Sequence, residues 1–274
     1  MLRFSVVFAT WLLVALPSRA EIPQAIQDLA QAMAIPEIIQ VMREEGLEFG
    51  DELADDMFPG RGGDEWHALL DAIYDAERMR EVTMEGFAAA LEGADISLLT
   101  AFFLSPLGQQ IIALEISARR AILDEEVDEA NKAHVVELIK AEDPRIDLIR
   151  EFIEVNDLLE SNIVGALNSN FAFMTGLVDG GAFPQARTEQ QMLNDVWGQE
   201  ESIRVNTAEW LYAFLSMAYS PLSDDELNAY IDISKTPEGQ ALNAALFAGF
   251  DEMFEEISRA LGLAAAQMMV GEDL

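Results

Sequence analysis

Apolar residues recur along this chain at the spacing of one face of an α-helix. Ile35, Ile38, Ile39 and Met42 follow the i, i+3, i+4, i+7 pattern. Similar stripes recur over residues 69–74, 98–102 and 227–231. The dipeptides typical of β-hairpins are nearly missing, since Asp179-Gly180 is the one match and has no alternating residues on either side. The pattern therefore predicts an all-α fold of several helices packed as helical hairpins.

An internal duplication is the main organisational feature of the sequence. Ser105-Pro106-Leu107-Gly108-Gln109 is followed 131 positions later by Thr236-Pro237-Glu238-Gly239-Gln240. Trp66 and Trp197 share this offset, which favours core packing for both rings. Farther upstream the offset is 125, and it pairs Phe58-Pro59 with Phe183-Pro184. We therefore predict two tandem helical units, the second of which carries an insertion of six residues around residues 185–191.

The predicted organisation follows from these offsets. It consists of an export signal (1–20), a lead-in (21–33), a first unit (34–125, motif 95–111), a connecting helical segment (126–158), a second unit (159–256, motif 226–242) and a C-terminal helix and tail (257–274). Within the connecting segment, Asp143-Pro144 predicts a break at which a new helix begins.

The repeated motif predicts a sharp elbow between two helices. Ser105 and Thr236 are suited to be N-caps, and Pro106 and Pro237 to be first helical residues, where the missing N–H costs nothing. Glycine in a first turn lowers helix propensity, so close approach of a neighbouring helix is the expected compensation. The alternative is that the motif forms a recognition surface. The residues assigned to it are Ser105, Pro106, Gly108, Gln109, Thr236, Pro237, Gly239 and Gln240.

The run from Leu99 to Gln110, LTAFFLSPLGQQ, resembles the signature of the bacterial family catalogued as domain of unknown function 2059. The second copy is similar but looser, with Ile233 where the family often has an aromatic residue. The resemblance implies an exported helical protein of the periplasm. It carries no catalytic residue over to this chain.

The N-terminus has the form of an export signal. Arg3 precedes an apolar run over residues 4–16, and Ser18 and Ala20 are the small residues that signal peptidase accepts. We expect cleavage after Ala20, a periplasmic location and no stable membrane insertion afterwards; an uncleaved anchor is the alternative. The chain has no cysteine, which excludes disulfides, a lipidated cysteine and cysteine-ligated metals.

The charge balance restricts the partners. With 16 basic and 50 acidic residues, the formal net charge is −34, which disfavours nucleic acid and anionic lipid surfaces. Cationic ligands, divalent ions or a basic protein surface remain compatible with it. High negative charge also has a simpler interpretation, namely solubility.

Candidate chemistry is sparse. His67 with Asp71, and His134 with Glu137, have helical spacings that could contribute to a divalent-metal site, although solvated helix faces give the same spacing. The acidic run 124–129 lacks the glycine and the alternation of an EF-hand, so a helix surface is favoured over a calcium site. No nucleophile elbow, phosphate loop or dinucleotide fingerprint occurs, so neither a catalytic residue nor a cofactor is assigned.

Three functions remain open. The leading hypothesis is a non-catalytic scaffold that engages another envelope protein or polypeptide, and the alternative is a protein that binds divalent cations or a cationic ligand. A hydrolase with scattered carboxylates is third. An apolar groove lined by equivalent residues of both halves would favour a polypeptide, whereas a polar pocket with converging acids and a histidine would favour an enzyme.

Overall fold

The computed structural model describes residues 22–185 and 187–271. The predicted export signal, residues 1–20, lies outside this range. Over the described residues the regular secondary structure is helical and no strand occurs, which confirms the all-α prediction. The helices, in chain order, are α1 Gln24–Ala32, α2 Ile35–Met57, α3 Gly63–Ile73, α4 Ala76–Ala90, α5 Ser97–Phe103, α6 Pro106–Ala121, α7 Glu125–Lys140, α8 Pro144–Val155, α9 Leu158–Asp179, α10 Glu189–Trp197, α11 Glu200–Tyr219, α12 Asp224–Ser234 and α13 Pro237–Val270.

The helix order fits two similar halves, α1–α6 and α8–α13, with α7 between them. Both halves join their first two helices through one residue in the left-handed region, Ala34 at φ 53° and Asp157 at φ 48°. This pair is separated by 123 positions, so the offset near the start of each half differs from the predicted 125. The duplication itself stays a prediction from the sequence.

The long helix α13 holds the two halves together by packing against α4 and α9. Glycines allow these helices to approach closely. A Cβ on Gly86 would lie only 2.9 Å from Cα of Gly249 in α13, and a Cβ on Gly262 would overlap the carbonyl oxygen of Phe173 in α9. Side chains of α13 such as Met253 therefore belong to the same buried cluster as Phe87 of the first half.

The two elbows have the predicted caps. The Ser105 hydroxyl accepts a hydrogen bond from the Gly108 N–H at 3.1 Å, and the Thr236 hydroxyl accepts one from Gly239 at 3.0 Å. Pro106 and Pro237 begin their helices, as expected. Asp143 likewise caps α8 at the predicted break, where its carboxylate accepts from the Arg145 N–H at 2.9 Å.

Each elbow glycine faces a neighbouring helix at short distance, as predicted, and that helix is the one preceding the elbow. A Cβ on Gly108 would overlap the Phe102 carbonyl oxygen and lie 2.7 Å from Cα of Phe103, at the end of the preceding helix α5. Gly239 meets the end of α12 in the same way, with Cα of Ser234 at 2.9 Å from the added Cβ. The close contact is therefore across the elbow itself. It leaves no room even for alanine.

The glutamine of the motif connects the elbow to a third helix by hydrogen bonds. The Gln109 amide donates to the carbonyls of Phe103 at 2.6 Å and Ala32 at 2.9 Å. Gln240 donates to Ser234 at 2.7 Å and to Val155 at 2.8 Å. Each glutamine thus satisfies carbonyl groups at the ends of two helices, which lack intrahelical partners.

The tryptophan pair does not share one environment. Trp66 is 1% exposed, donates its indole N–H to the Gly50 carbonyl at 2.9 Å and packs edge-on against Phe58. Trp197 is 62% exposed, so the prediction that it packs in the core is wrong. Trp66 lies in the first turn of α3, whereas Trp197 is the last residue of α10 and is followed by a break before α11.

In the described part of the chain, no single helix is both long and apolar enough to cross a membrane. Only α5 and α6 taken together reach that length and hydropathy, and they are bent by 71° at their junction.

Candidate functional site: an apolar cavity between the two halves

The residues predicted as metal ligands do not form a metal site. His67 contacts Asp51 at 3.1 Å, while Asp71 is hydrogen-bonded to Arg43 at 2.6 Å. Across the described residues, no group of three or more histidines and carboxylates is placed to hold an ion. His134 is exposed on α7, and Glu137 pairs with Lys140 at 2.8 Å. The two histidines are therefore not assigned to a site.

The acidic run 124–129 forms the start of α7. The Asp124 carboxylate caps this helix by accepting from the N–H groups of Glu126 at 3.0 Å and Val127 at 3.3 Å. Lys132, one turn farther on, pairs with Asp128 at 2.8 Å and Glu129 at 3.2 Å. These contacts are those of a charged helix surface, the interpretation that the sequence favoured.

The principal concavity is a cavity of about 580 Å³ between the two halves. Residues of α2, α5 and α6 line it from the first half, and residues of α8, α9, α11, α12 and α13 line it from the second. The lining is mostly aliphatic and aromatic, and the rings on it are Phe103, Phe152, Trp210, Phe214, Tyr219, Tyr230, Phe247, Phe250 and Phe254. This cavity, which we call the central cavity, is the candidate functional site.

The predicted duplication pairs lining residues of different chemistry at the central cavity. At several of the paired positions the first half has an apolar side chain and the second half a polar or smaller one. With the offsets of 123 and 131 positions, these pairs are Met33 with Asn156, Met42 with Gly165, Phe103 with Ser234, and Ile112 with Asn243. The lining is consequently asymmetric, although other pairs differ in the opposite sense, since Glu115 pairs with Leu246 and Arg119 with Phe250.

An aromatic cluster joins the halves beside the cavity. The Phe152 ring lies 4.9 Å from that of Tyr230 and 5.3 Å from that of Tyr219. Phe102 of α5 stacks on Tyr230 at 5.7 Å. Such ring pairs are worth about 0.5–1.5 kcal/mol beyond their buried area, so they stabilise this wall of the cavity.

Glu115 brings a carboxyl group into the apolar lining. The Tyr219 hydroxyl donates to its Oε1 at 2.7 Å, and the Tyr230 hydroxyl is a second partner. Burial raises the pKa of Glu115 to about 7, against the opposing effect of the two hydroxyls. Burial also raises the pKa of both tyrosines well above the ordinary value, so they remain donors.

Asp251 is the second carboxyl group on the cavity, and it has no hydrogen-bond or ionic partner among the described residues. It lies on α13 opposite Gly165 of α9, where an added Cβ would be 2.7 Å from Oδ1 of Asp251. Burial, and then the negative charge of Glu255, raise the pKa of Asp251 to about 6. This carboxylate is half-buried and available to a ligand.

The guanidinium and side-chain amide groups that line the cavity already donate hydrogen bonds within the protein. Arg119 binds both carboxylate oxygens of Glu45, at 2.6 and 2.8 Å. The side-chain amides of Asn156, Asn162 and Asn243 donate to the main-chain carbonyls of Phe152, Leu158 and Asn156. Each of these groups keeps at least one further N–H, so both donors and acceptors remain for a ligand.

Sequence reasoning missed this site, although one signal pointed to it. Glu115 lies three and four residues after Ile112 and Ile111 and directly before Ile116, so it falls on the apolar face of its helix. A lone carboxylate in such a stripe indicates a buried polar contact or a site. Asp251 has the same kind of setting, with Phe247 four residues before it and Phe254 three residues after it.

Comparisons of the chain with protein-family models, curated proteins and solved structures give no match. The resemblance to domain of unknown function 2059 consequently stays an inference from the motif alone.

Proposed function

We propose that this chain is an exported, non-catalytic binding protein and that the central cavity is its ligand site. The observation that carries the proposal is the cavity itself. Its volume of about 580 Å³ falls in the range of roughly 300–1,000 Å³ that is common for small-molecule sites. It lies between two units of the fold, where binding sites often form.

The lining favours a ligand with a large apolar body. Rings such as Phe247, Phe250 and Phe254 are only partly buried, so they keep apolar surface that a ligand would cover. Covering such surface contributes about 25 cal/mol per Å² removed from water. A ligand that fills the cavity would gain most of its affinity in this way.

The lining does not favour hydrolysis. The two histidines lie on exposed helix faces and neither lines the cavity. Glu115 is hydrogen-bonded to tyrosine hydroxyls that burial keeps protonated, and no serine or threonine nucleophile is bonded to a base there. The arrangement supports binding rather than general acid–base chemistry.

A polypeptide is the second candidate ligand, and one observation favours it. Corresponding positions of both halves line the cavity, as expected for a groove that receives an apolar segment of another envelope protein. Side chains of such a segment would occupy the same space as a small molecule. The volume of the cavity, which suits a few side chains or one small ligand, leads us to rank the small molecule first.

A filled-cavity variant tests the proposed site. The native protein, titrated with the neutral apolar dye N-phenyl-1-naphthylamine, should bind one equivalent with enhanced dye fluorescence. Ala166→Phe, which adds a ring at a lining position of α9, should weaken binding at least tenfold. Ala113→Phe is the matched control, because Ala113 is exposed on α6 and does not line the cavity. Absence of dye binding, or equal binding by both variants, would contradict the proposal.

The exported location is tested separately. Protein recovered from the periplasm should begin at Glu21, as read by N-terminal sequencing. Recovery of the intact chain from the membrane fraction would support the uncleaved anchor instead.

A further inference from the structure

The second half presents one acidic position surrounded by aromatic rings at the central cavity. Phe247, Asp251 and Phe254 follow one another at spacings of four and three residues, so they share one face of α13. All three line the cavity, and both rings are only partly buried. A carboxylate between the accessible faces of aromatic rings is the chemistry that binds an organic ammonium group.

The opposite wall, on α9, presents small and polar side chains close to Asp251. Asn162, Gly165, Ala166 and Ser169 follow the i, i+3, i+4, i+7 pattern, so they form one face of α9 on the cavity. These side chains are small or polar, and Gly165 lies directly against Asp251. The amide of Asn162 donates to the Leu158 carbonyl at 2.7 Å, which leaves its oxygen to accept from an ammonium N–H.

Other ligand charges fit this lining less well. An anionic ligand would find Arg119 already paired with Glu45, in a protein of net charge −34. A neutral ligand would cover the Asp251 carboxylate without giving it a partner, and an unpaired buried charge is costly. A monovalent organic cation neutralises Asp251 and is also attracted by the acidic surface.

We propose that the central cavity binds an amphiphilic amine, with its ammonium group held by Asp251 between Phe247 and Phe254. Its apolar body lies toward Met33, Ile38 and Met42 of the first half. This inference rests on the proposed function and adds the chemical class of the ligand. The raised pKa of Asp251 agrees with a carboxyl group that lacks a cationic partner in the free protein.

Three probes of equal chain length separate the ligand classes. Dodecylamine, 1-dodecanol and dodecanoate are titrated at pH 7.5 and 0.15 M salt, below their aggregation concentrations. Fluorescence of Trp210, which lines the cavity, reports binding. The native protein should bind the amine at least tenfold more tightly than the alcohol, and the carboxylate most weakly.

Substitution of Asp251 locates the ammonium group. Asp251→Asn should reduce the preference for amine over alcohol from at least tenfold to within about threefold, a loss of at least roughly 0.7 kcal/mol. Its affinity for the alcohol should be retained or rise, because the neutral amide removes the cost of covering an unpaired carboxylate, and retained alcohol binding also shows that the variant is folded. Asp55→Asn, at an exposed position on α2 outside the lining, removes one charge and should keep the native preference.

The outcomes distinguish this inference from the proposed function. If all three probes bind with similar affinity, or dodecanoate binds most tightly, the amine assignment is overturned and the binding function stands. If Glu115→Gln removes the preference and Asp251→Asn does not, the assignment to Asp251 is overturned. If no probe and no apolar dye binds, both proposals fail.

Discussion

Glu115 makes the stability of this protein depend on pH in a direction opposite to ordinary acid denaturation. Its pKa is raised by burial from 4.5 to about 7 in the folded chain. The folded state therefore holds a proton that the unfolded state releases between these two values. Stability contributed by the neutral carboxyl group is present below pH 4.5 and is lost as pH rises through 7.

The size of the effect follows from the gap between the two pKa values. A gap of about 2.5 pH units at about 1.4 kcal/mol each gives about 3.5 kcal/mol. Glu115→Gln replaces the carboxyl group with a neutral group of the same shape, whose oxygen can still accept from the Tyr219 hydroxyl. At pH 8 the variant should be more stable than the native protein by up to about 3.5 kcal/mol, with the difference shrinking toward pH 4.5.

Urea denaturation of both proteins at several pH values between 4.5 and 8 measures this difference. Asp251, whose pKa burial raises to about 6, acts in the same direction but is present in both proteins, so its contribution cancels. Glu209→Gln, an exposed substitution on α11, is the control and should show no such trend. A stability difference between native and Glu115→Gln that stays constant with pH would refute the reasoning.

Three further predictions concern packing and charge. Gly108→Ala and Gly239→Ala should each destabilise the fold by about 1–3 kcal/mol in urea titrations, because the added Cβ would overlap the preceding helix. Gly198→Ala is the control and should not destabilise the fold, since its added Cβ would have no contact closer than 3.4 Å. Trp66→Ala should cost about 3–5 kcal/mol and Trp197→Ala less than about 0.5, and equal losses would contradict the difference in burial. The melting temperature should rise between low salt and about 0.15 M, since ions screen repulsion among the excess acidic groups; a salt-independent value would contradict this.

Local features of the fold could be predicted from the sequence because their causes are local. Helical periodicity at positions such as Ile35 and Ile39 reflects burial of one face, and the structure buries both residues. The caps at Ser105 and Thr236 depend only on a hydroxyl next to a proline and a free N–H. Such features need no knowledge of which helices meet.

The site could not be predicted because it depends on which helices meet. Nothing in the spacing of Asp251 or Gly165 states that α9 and α13 face each other, yet their contact defines the site. The exposure of Trp197 could not be predicted for a similar reason. The offset that pairs it with Trp66 does not indicate that its helix ends at this residue. For His67 and Asp71, helical spacing was present, but the aspartate pairs with Arg43 instead.

The predicted duplication, applied to the residues around Asp251, favours a single ligand site per chain. With the same offsets, the position of Asp251 corresponds to Arg120, which lies on the α6 surface 4.0 Å from Glu44. The first half thus has a cation where the second half has the unpaired carboxylate. Under the same offsets, Met42 of the first half corresponds to Gly165. The first half therefore has a long side chain where the second half has the glycine that faces Asp251.

If the two halves were identical, either both or neither would place an unpaired carboxylate on the cavity. The cavity would then hold two ammonium sites or none. Under the predicted duplication, only the second half places an unpaired carboxylate, that of Asp251, on the cavity, which gives one position for the ammonium group of the proposed ligand. Binding of the amine should therefore saturate at one equivalent per chain in calorimetry. A stoichiometry of two would mean that the halves bind independently, and the shared cavity would then not be the site.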